Sequence, residues 1–132
     1  MSTIGRASNA FASAHDRTRV HCVRIYPGES RRLLASFNGV MPKGERIIKA
    51  TFRQVSACSV AMADPQLEHA GRAASVQLTA AYRGCQPIKA TVQTDAGNAY
   101  VLMAVAEVRG GPWFGDEETA AGPTELTVTD TP

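Results

Sequence analysis

Between Ala73 and Val108 the chain reads AASVQLTA, AYRGCQP, IKATVQT, DAGN and AYVLMAVAEV: three apolar-alternating segments separated by two turn-rich joints. Alternation with a period of two places successive side chains on opposite faces, so each segment reads as a strand of an antiparallel meander. Ala74, Val76, Leu78 and Ala80 share one face of the first segment, against Ser75, Gln77 and Thr79. Ile88, Ala90 and Val92 share one face of the second, against Lys89, Thr91 and Gln93. Asp95-Ala96-Gly97-Asn98 is a reversal signal, because glycine accepts a positive φ and aspartate bonds nearby backbone. The third segment departs from the pattern. Val101, Met103 and Val105 fall on one side and Tyr100, Leu102, Ala104, Ala106 and Val108 on the other, which leaves both faces apolar.

The same reading extends toward the N-terminus. Val20–Ile25 forms a strand with His21, Val23 and Ile25 on one face, ended by Tyr26-Pro27-Gly28-Glu29. Ser30–Phe37 fits a strand with Leu33, Ala35 and Phe37 together, and nearly as well a single helical turn. The turn residues that follow, Asn38-Gly39 and Met41–Gly44, favour the strand. Arg46–Arg53 reads as a strand with Ile48, Ala50 and Phe52 inward and Ile47, Lys49, Thr51 and Arg53 outward. Ala57–Met62 is the next, with Cys58, Val60 and Met62 on one face. Ala63–Arg72 reads as a loop with at most one helical turn at Gln66–Ala70, and Glu125–Thr129 as a terminal strand for this domain or for a neighbour's open edge. Short strands at roughly 8–12-residue spacing, with no crossover helix, predict an all-β antiparallel sandwich.

Composition sharpens this into three parts: an N-terminal arm over 1–19, a β-sandwich over 20–109 and an acidic C-terminal arm over 110–132. Residues 1–109 hold all 14 Lys and Arg and 7 of the 12 acids, whereas 110–132 hold the other 5 acids and no base. A basic body with an acidic tail suggests an arm resting on its own body or on a neighbouring copy, and the alternative is a solvated tail. A net charge of +2 argues against nucleic-acid binding, and no apolar run approaches the roughly 20 residues of a membrane span. The N-terminal segment has no continuous apolar stretch, which reads against a secretory signal. Cys22, Cys58 and Cys85, odd in number and without CxxC spacing, read as reduced thiols in a chain made in a cytoplasm.

Catalytic chemistry finds little to build on. No glycine-rich phosphate loop is present, and His15, His21 and His69 lack neighbours at zinc-ligand spacing, so neither a cofactor nor a metal is expected. Cys85, in the turn beside Arg83, is the only thiol in a basic setting, but no residue nominates itself as its base. Asp116-Glu117-Glu118 lacks calcium-loop spacing and reads as a solvated patch; Arg31-Arg32 reads as a solvated strand start. Tyr26, Tyr82, Tyr100 and Trp113 are too scattered for a carbohydrate platform. Trp113-Phe114, between Gly-Pro and Gly, is the exception among the polar tail residues. Burying the pair contributes about 3–5 kcal/mol, against the tail's own sandwich or against a neighbour.

Within Arg46–Val108, the run Ile47-Ile48-Lys49-Ala50-Thr51-Phe52, the segment from Gly71 to Leu78, the turn containing Gly84 and the run from Ile88 to Gly97 together form a pattern. It resembles the small immunoglobulin-like domains of tailed-phage virion proteins, particularly fiber–tail adaptors. Phe52 stands where that group usually has Trp, and AAYRGCQP is poorer in Gly and Thr than its usual turn. The resemblance implies an immunoglobulin-like sandwich and a non-enzymatic virion component, made in the bacterial host's cytoplasm. It would attach a tail fibre or connect head and tail, with capsid decoration as the alternative and a carbohydrate-binding module ranked lower. Its expected partners are copies of itself and other virion proteins, with no nucleic acid and no membrane. The residues expected at those contacts are Tyr100, Leu102, Trp113 and Phe114, with Ile4 and Phe11 of the N-terminal arm.

Overall fold

The computed structural model describes the backbone of Ser8–Ser13 and residues 20–54, 59–81, 83–109 and 124–130. Nine strands form two packed sheets: β1 (Ser8–Ser13), β2 (His21–Ile25), β3 (Ser30–Gly39), β4 (Ile47–Gln54), β5 (Val60–Glu68), β6 (Ala73–Ala80), β7 (Gly84–Thr94), β8 (Ala99–Val108) and β9 (Glu125–Thr129). One sheet has the order β1-β3-β6-β5 and the other β2-β8-β7-β4-β9. Strands β3, β6 and β5 reproduce the B-E-D order of an immunoglobulin sheet, and β8, β7 and β4 its G-F-C order. The expected immunoglobulin-like sandwich is therefore what forms. Two pairings are parallel rather than antiparallel, β1 with β3 and β2 with β8, both at sheet edges.

The core is the shared inner layer. Leu33, Ala35 and Phe37 of β3, Val76 and Leu78 of β6, Ala50 and Phe52 of β4, Ile88 and Val92 of β7 and Leu102 and Ala104 of β8 are all buried in one cluster. Alternation predicts this layer correctly for five strands. It fails in β4, where Ile47 is buried and Ile48 is 38% exposed. A register shift between Ile47 and Lys49 inserts an extra residue, and one inserted residue exchanges the faces on either side of it. The loop expected over Ala63–Arg72 is also corrected, since β5 continues to Glu68 before a short 3₁₀ turn at His69–Gly71. Pro65 fits there because β5 is an edge strand and the pairing shifts between Ala63 and Gln66, with Asp64 at φ 55°.

Both segments set apart as arms contribute strands. β9 pairs antiparallel with the sandwich's own β4, with Leu126 and Val128 half-buried against the core. An ion pair from Arg46 to Asp130 (3.0 Å) and a hydroxyl contact between Thr51 and Thr127 (3.1 Å) flank it. Residues 124–130 of the tail therefore lie on their own domain rather than on a neighbour.

One end of the sandwich is closed by polar groups whose partners are all internal. Arg72 donates from Nε to Asn38 Oδ1 (2.9 Å) and from its two Nη atoms to the carbonyls of Pro42, Glu45 and Met41 (2.8, 2.9 and 3.0 Å). A planar guanidinium offers enough fixed donors to hold a whole loop, which a lysine ammonium does not. Below it the carboxylate of Glu45, a 7% exposed residue, accepts from Thr94 Oγ1 and from Asn98 Nδ2 (3.0 Å), tying the β3–β4 loop to the β7–β8 turn. Gly97, at φ +84°, makes that turn, and Asp95 caps the backbone N–H of Arg46 (3.0 Å) rather than its own turn.

Two outcomes follow from these contacts. Arg72→Met leaves the carbonyls of the β3–β4 loop without donors and lowers unfolding free energy by about 2–4 kcal/mol, measured by urea denaturation. Arg46→Gln removes only a solvent-screened pair and costs less than about 1 kcal/mol in the same assay.

Candidate docking face on the five-stranded sheet

The outer face of the β2-β8-β7-β4-β9 sheet carries most of the exposed large apolar side chains among the described residues. On β8, Leu102, Ala104, Ala106 and Val108 point inward, so the outward side chains are Val101 (42% exposed), Met103 (36%) and half-buried Val105. The parallel register of β2 sets His21 opposite Ala104, which puts Val20, 53% exposed, beside Met103. Pro87 lies opposite Val105 on the other flank. The result is a stripe along β8 widened on both sides. A contiguous apolar patch on a rigid sheet is the usual signature of a surface that contacts another macromolecule.

Charge grades across this face. Met103 faces Lys89, Lys89 faces Arg53, and Arg53 faces Glu125, so one row runs from apolar through basic to acidic. The row beside it runs from Val101 through Thr91 and Thr51 to Thr127. At the β2 end, Glu107 accepts from Arg24 Nε (3.2 Å) and Arg109 Nη2 (3.1 Å). The Arg109 hydrogen bond holds the Glu107 carboxyl below its ordinary value, against an opposing desolvation and with help from the charge of Arg109 and the Arg24 pair. That carboxylate stays ionised and offsets one of the two positive charges beside it, while Lys89, Arg53 and Lys49 are the cations of the middle of the face.

Two of the three thiols border the stripe; Cys58 lies outside the described residues. Cys22 lies opposite Val105 with Sγ 3.7 Å from Glu107 Oε1, and Cys85 lies opposite Glu107 on β7; both are exposed. Arg83, Cys85, Glu107 and Arg109 line a shallow recess, with no histidine among its lining residues. Among the described residues no group of three or more His, Cys, Asp or Glu side chains gathers. Arg31 and Arg32, read as a solvated strand start, are engaged. Arg31 donates to the Arg24 carbonyl (3.4 Å), and Arg32 bonds Asp64 Oδ2 (2.6 Å) and Ser75 Oγ (2.8 Å). Ser75 donates in turn to Glu68 (2.6 Å), which explains its full burial on the outer side of β6.

Of the contact residues expected from the sequence, Leu102 is corrected: it is 5% exposed and belongs to the core, because its register partner is inward-facing Ala90. Tyr100 is half-buried and packs on the same core. Phe11 lies on β1 opposite Ser36, with its side chain outside the described set; Ile4, Trp113 and Phe114 lie outside the described residues altogether. The outward residues Val101 and Met103 were legible in principle. They stand opposite polar Thr91 and Lys89, whereas Leu102 and Ala104 stand opposite apolar Ala90 and Ile88.

No protein-family model matches the chain, and no curated protein matches it. Solved structures similar to it include a cysteine protease inhibitor from Entamoeba histolytica, at 9% identity over 80% of this chain and 99% of that one, with a TM-score of 0.46. PbICP-C in complex with falcipain-2 gives 8% identity, 83% and 96% coverage and a TM-score of 0.46. Murine CRIg gives 13% identity, 68% and 93% coverage and a TM-score of 0.43. At these identities and scores no activity passes from those proteins to this one.

Proposed function

We propose that this chain is a structural component of a tailed-phage virion, attaching a tail fibre or joining head to tail through protein–protein contacts and without catalysis. The observation that carries the binding half of this reading is the exposed stripe of Val20, Val101, Met103 and Val105 on the outer face of the five-stranded sheet. Its backbone is held by strands on both sides, so the stripe is presented in one conformation and little order is lost on binding. The virion half rests on the sequence resemblance over Arg46–Val108. The two halves fit physically: a virion joint must be rigid, repeated and stable, and a small sandwich with one apolar face meets each requirement.

Lys89 and Arg53 beside the stripe favour partners with an acidic rim around an apolar centre, since like charges are excluded and opposite ones speed encounter. Leu102 and Ala104 beneath the stripe keep it from yielding, so its shape is read as it stands.

Complementation tests this. Phage carrying Met103→Glu is expected to give particles that lack the protein and its attached appendage, with infectivity reduced at least tenfold. The purified variant keeps the wild-type unfolding midpoint, because position 103 is exposed and the substitution changes stability little. Normal incorporation of Met103→Glu together with Val101→Glu would remove this face from the assembly contact.

A further inference from the structure

A sandwich leaves four edge strands, and an unguarded edge pairs with whatever strand it meets. Three edges here are guarded or interrupted. β5 carries Pro65 and a shifted register with Asp64 at positive φ. β1 has a register shift between Phe11 and Ser13. On β2 the Arg24 carbonyl is taken by Arg31. β9 differs. Its sequence, Glu-Leu-Thr-Val-Thr, has no proline, glycine or lysine, its register against β4 is unbroken, and among the described residues no strand lies beyond it.

The direction of its free backbone groups follows from the ladder. The N–H of Gln54 donates to the Thr124 carbonyl and the N–H of Asp130 to the Ile48 carbonyl. Alternation then turns the backbone groups of Leu126 and Val128 toward β4 and those of Glu125, Thr127 and Thr129 toward the open edge. We infer that β9 pairs antiparallel with β9 of a second copy across a two-fold axis through Thr127, joining two five-stranded sheets into one.

The occupant is set by register. About the Thr127 axis, Glu125 exchanges hydrogen bonds with Thr129 of the other copy, and Thr127 with its own equivalent. Leu126 and Val128, each half-buried on the inner side, fall opposite Val128 and Leu126 of the other copy, which extends the apolar layer across the joint. No like charges meet. A slip by two residues in one direction sets Glu125 opposite Thr127 and leaves Thr129 beyond the five-residue ladder, in the other it leaves only Thr127–Thr129 in range, and a slip by one reverses the faces. The contact is isologous, so it closes on itself as a dimer. It uses a different surface from the Val101–Met103 stripe and does not rest on the phage reading.

The test uses the full chain with Cys22, Cys58 and Cys85 changed to serine. In that background Thr127→Cys brings two thiols together at the axis, where Cα atoms about 5.5 Å apart allow a disulfide. Mild oxidation is expected to trap a dimer at least tenfold faster than for Gln93→Cys, an exposed position away from the edge. Sedimentation equilibrium of the wild-type chain is expected to show a monomer–dimer equilibrium that Thr127→Lys weakens at least tenfold and Met103→Glu leaves unchanged. Circular dichroism verifies that both variants keep their strands. A wild-type chain that stays monomeric at millimolar concentration, or a dimer whose affinity Thr127→Lys does not alter, would overturn the inference.

Discussion

One apolar layer shared by two sheets carries this molecule. Leu33, Phe37, Phe52, Val76, Leu78, Ile88 and Val92 have almost no exposed surface, and each reaches the layer from a strand whose alternate residues face away from it. Removing any large member leaves a cavity in an interior packed as densely as a crystal, at a cost of several kcal/mol. Polar groups confirm the demand by their rarity and their pairing. Glu45, Thr94 and Ser75 are buried with hydrogen-bond partners, while Arg72 closes a loop by satisfying carbonyls rather than by meeting a carboxylate.

Much of this layer was legible from alternation alone. The parity of β3, β6 and β7 follows from the spacing of Leu33, Val76 and Ile88. Parity fails where a strand contains an extra residue, because alternation counts residues and not hydrogen bonds. Ile47 and Ile48 are equally apolar, and no local feature says which of them the register shift turns inward. The β5 extension was hidden for a related reason: Asp64 and Pro65 carry the composition of a turn, yet they sit in a strand edge that needs neither a partner for the proline nitrogen nor a regular register. Local chemistry there is the same for both outcomes. The pairing decides.

The docking face was only half legible. An apolar-on-both-sides β8 signals that one face needs an explanation, but which face belongs to the core depends on the cross-strand neighbours. Val92 and Ala90 draw Tyr100 and Leu102 inward, and Thr91 and Lys89 leave Val101 and Met103 in solvent. Val20 joins them only because β2 runs parallel to β8, a relation that nothing within either strand encodes. A site composed across three strands is a property of registers, and registers are settled by the whole sheet.

The β4–β9 pairing has a consequence in time. Thr51 meets Thr127 across a sequence separation of 76, so closing that ladder carries a large loop-entropy cost and belongs among the slow steps of folding. On a ribosome, β4 is made long before its neighbour. Its flank therefore waits bare while some seventy further residues are added, about 4–14 seconds at 5–20 residues per second. During that interval the nascent chain presents an adhesive margin to every other chain on the same messenger.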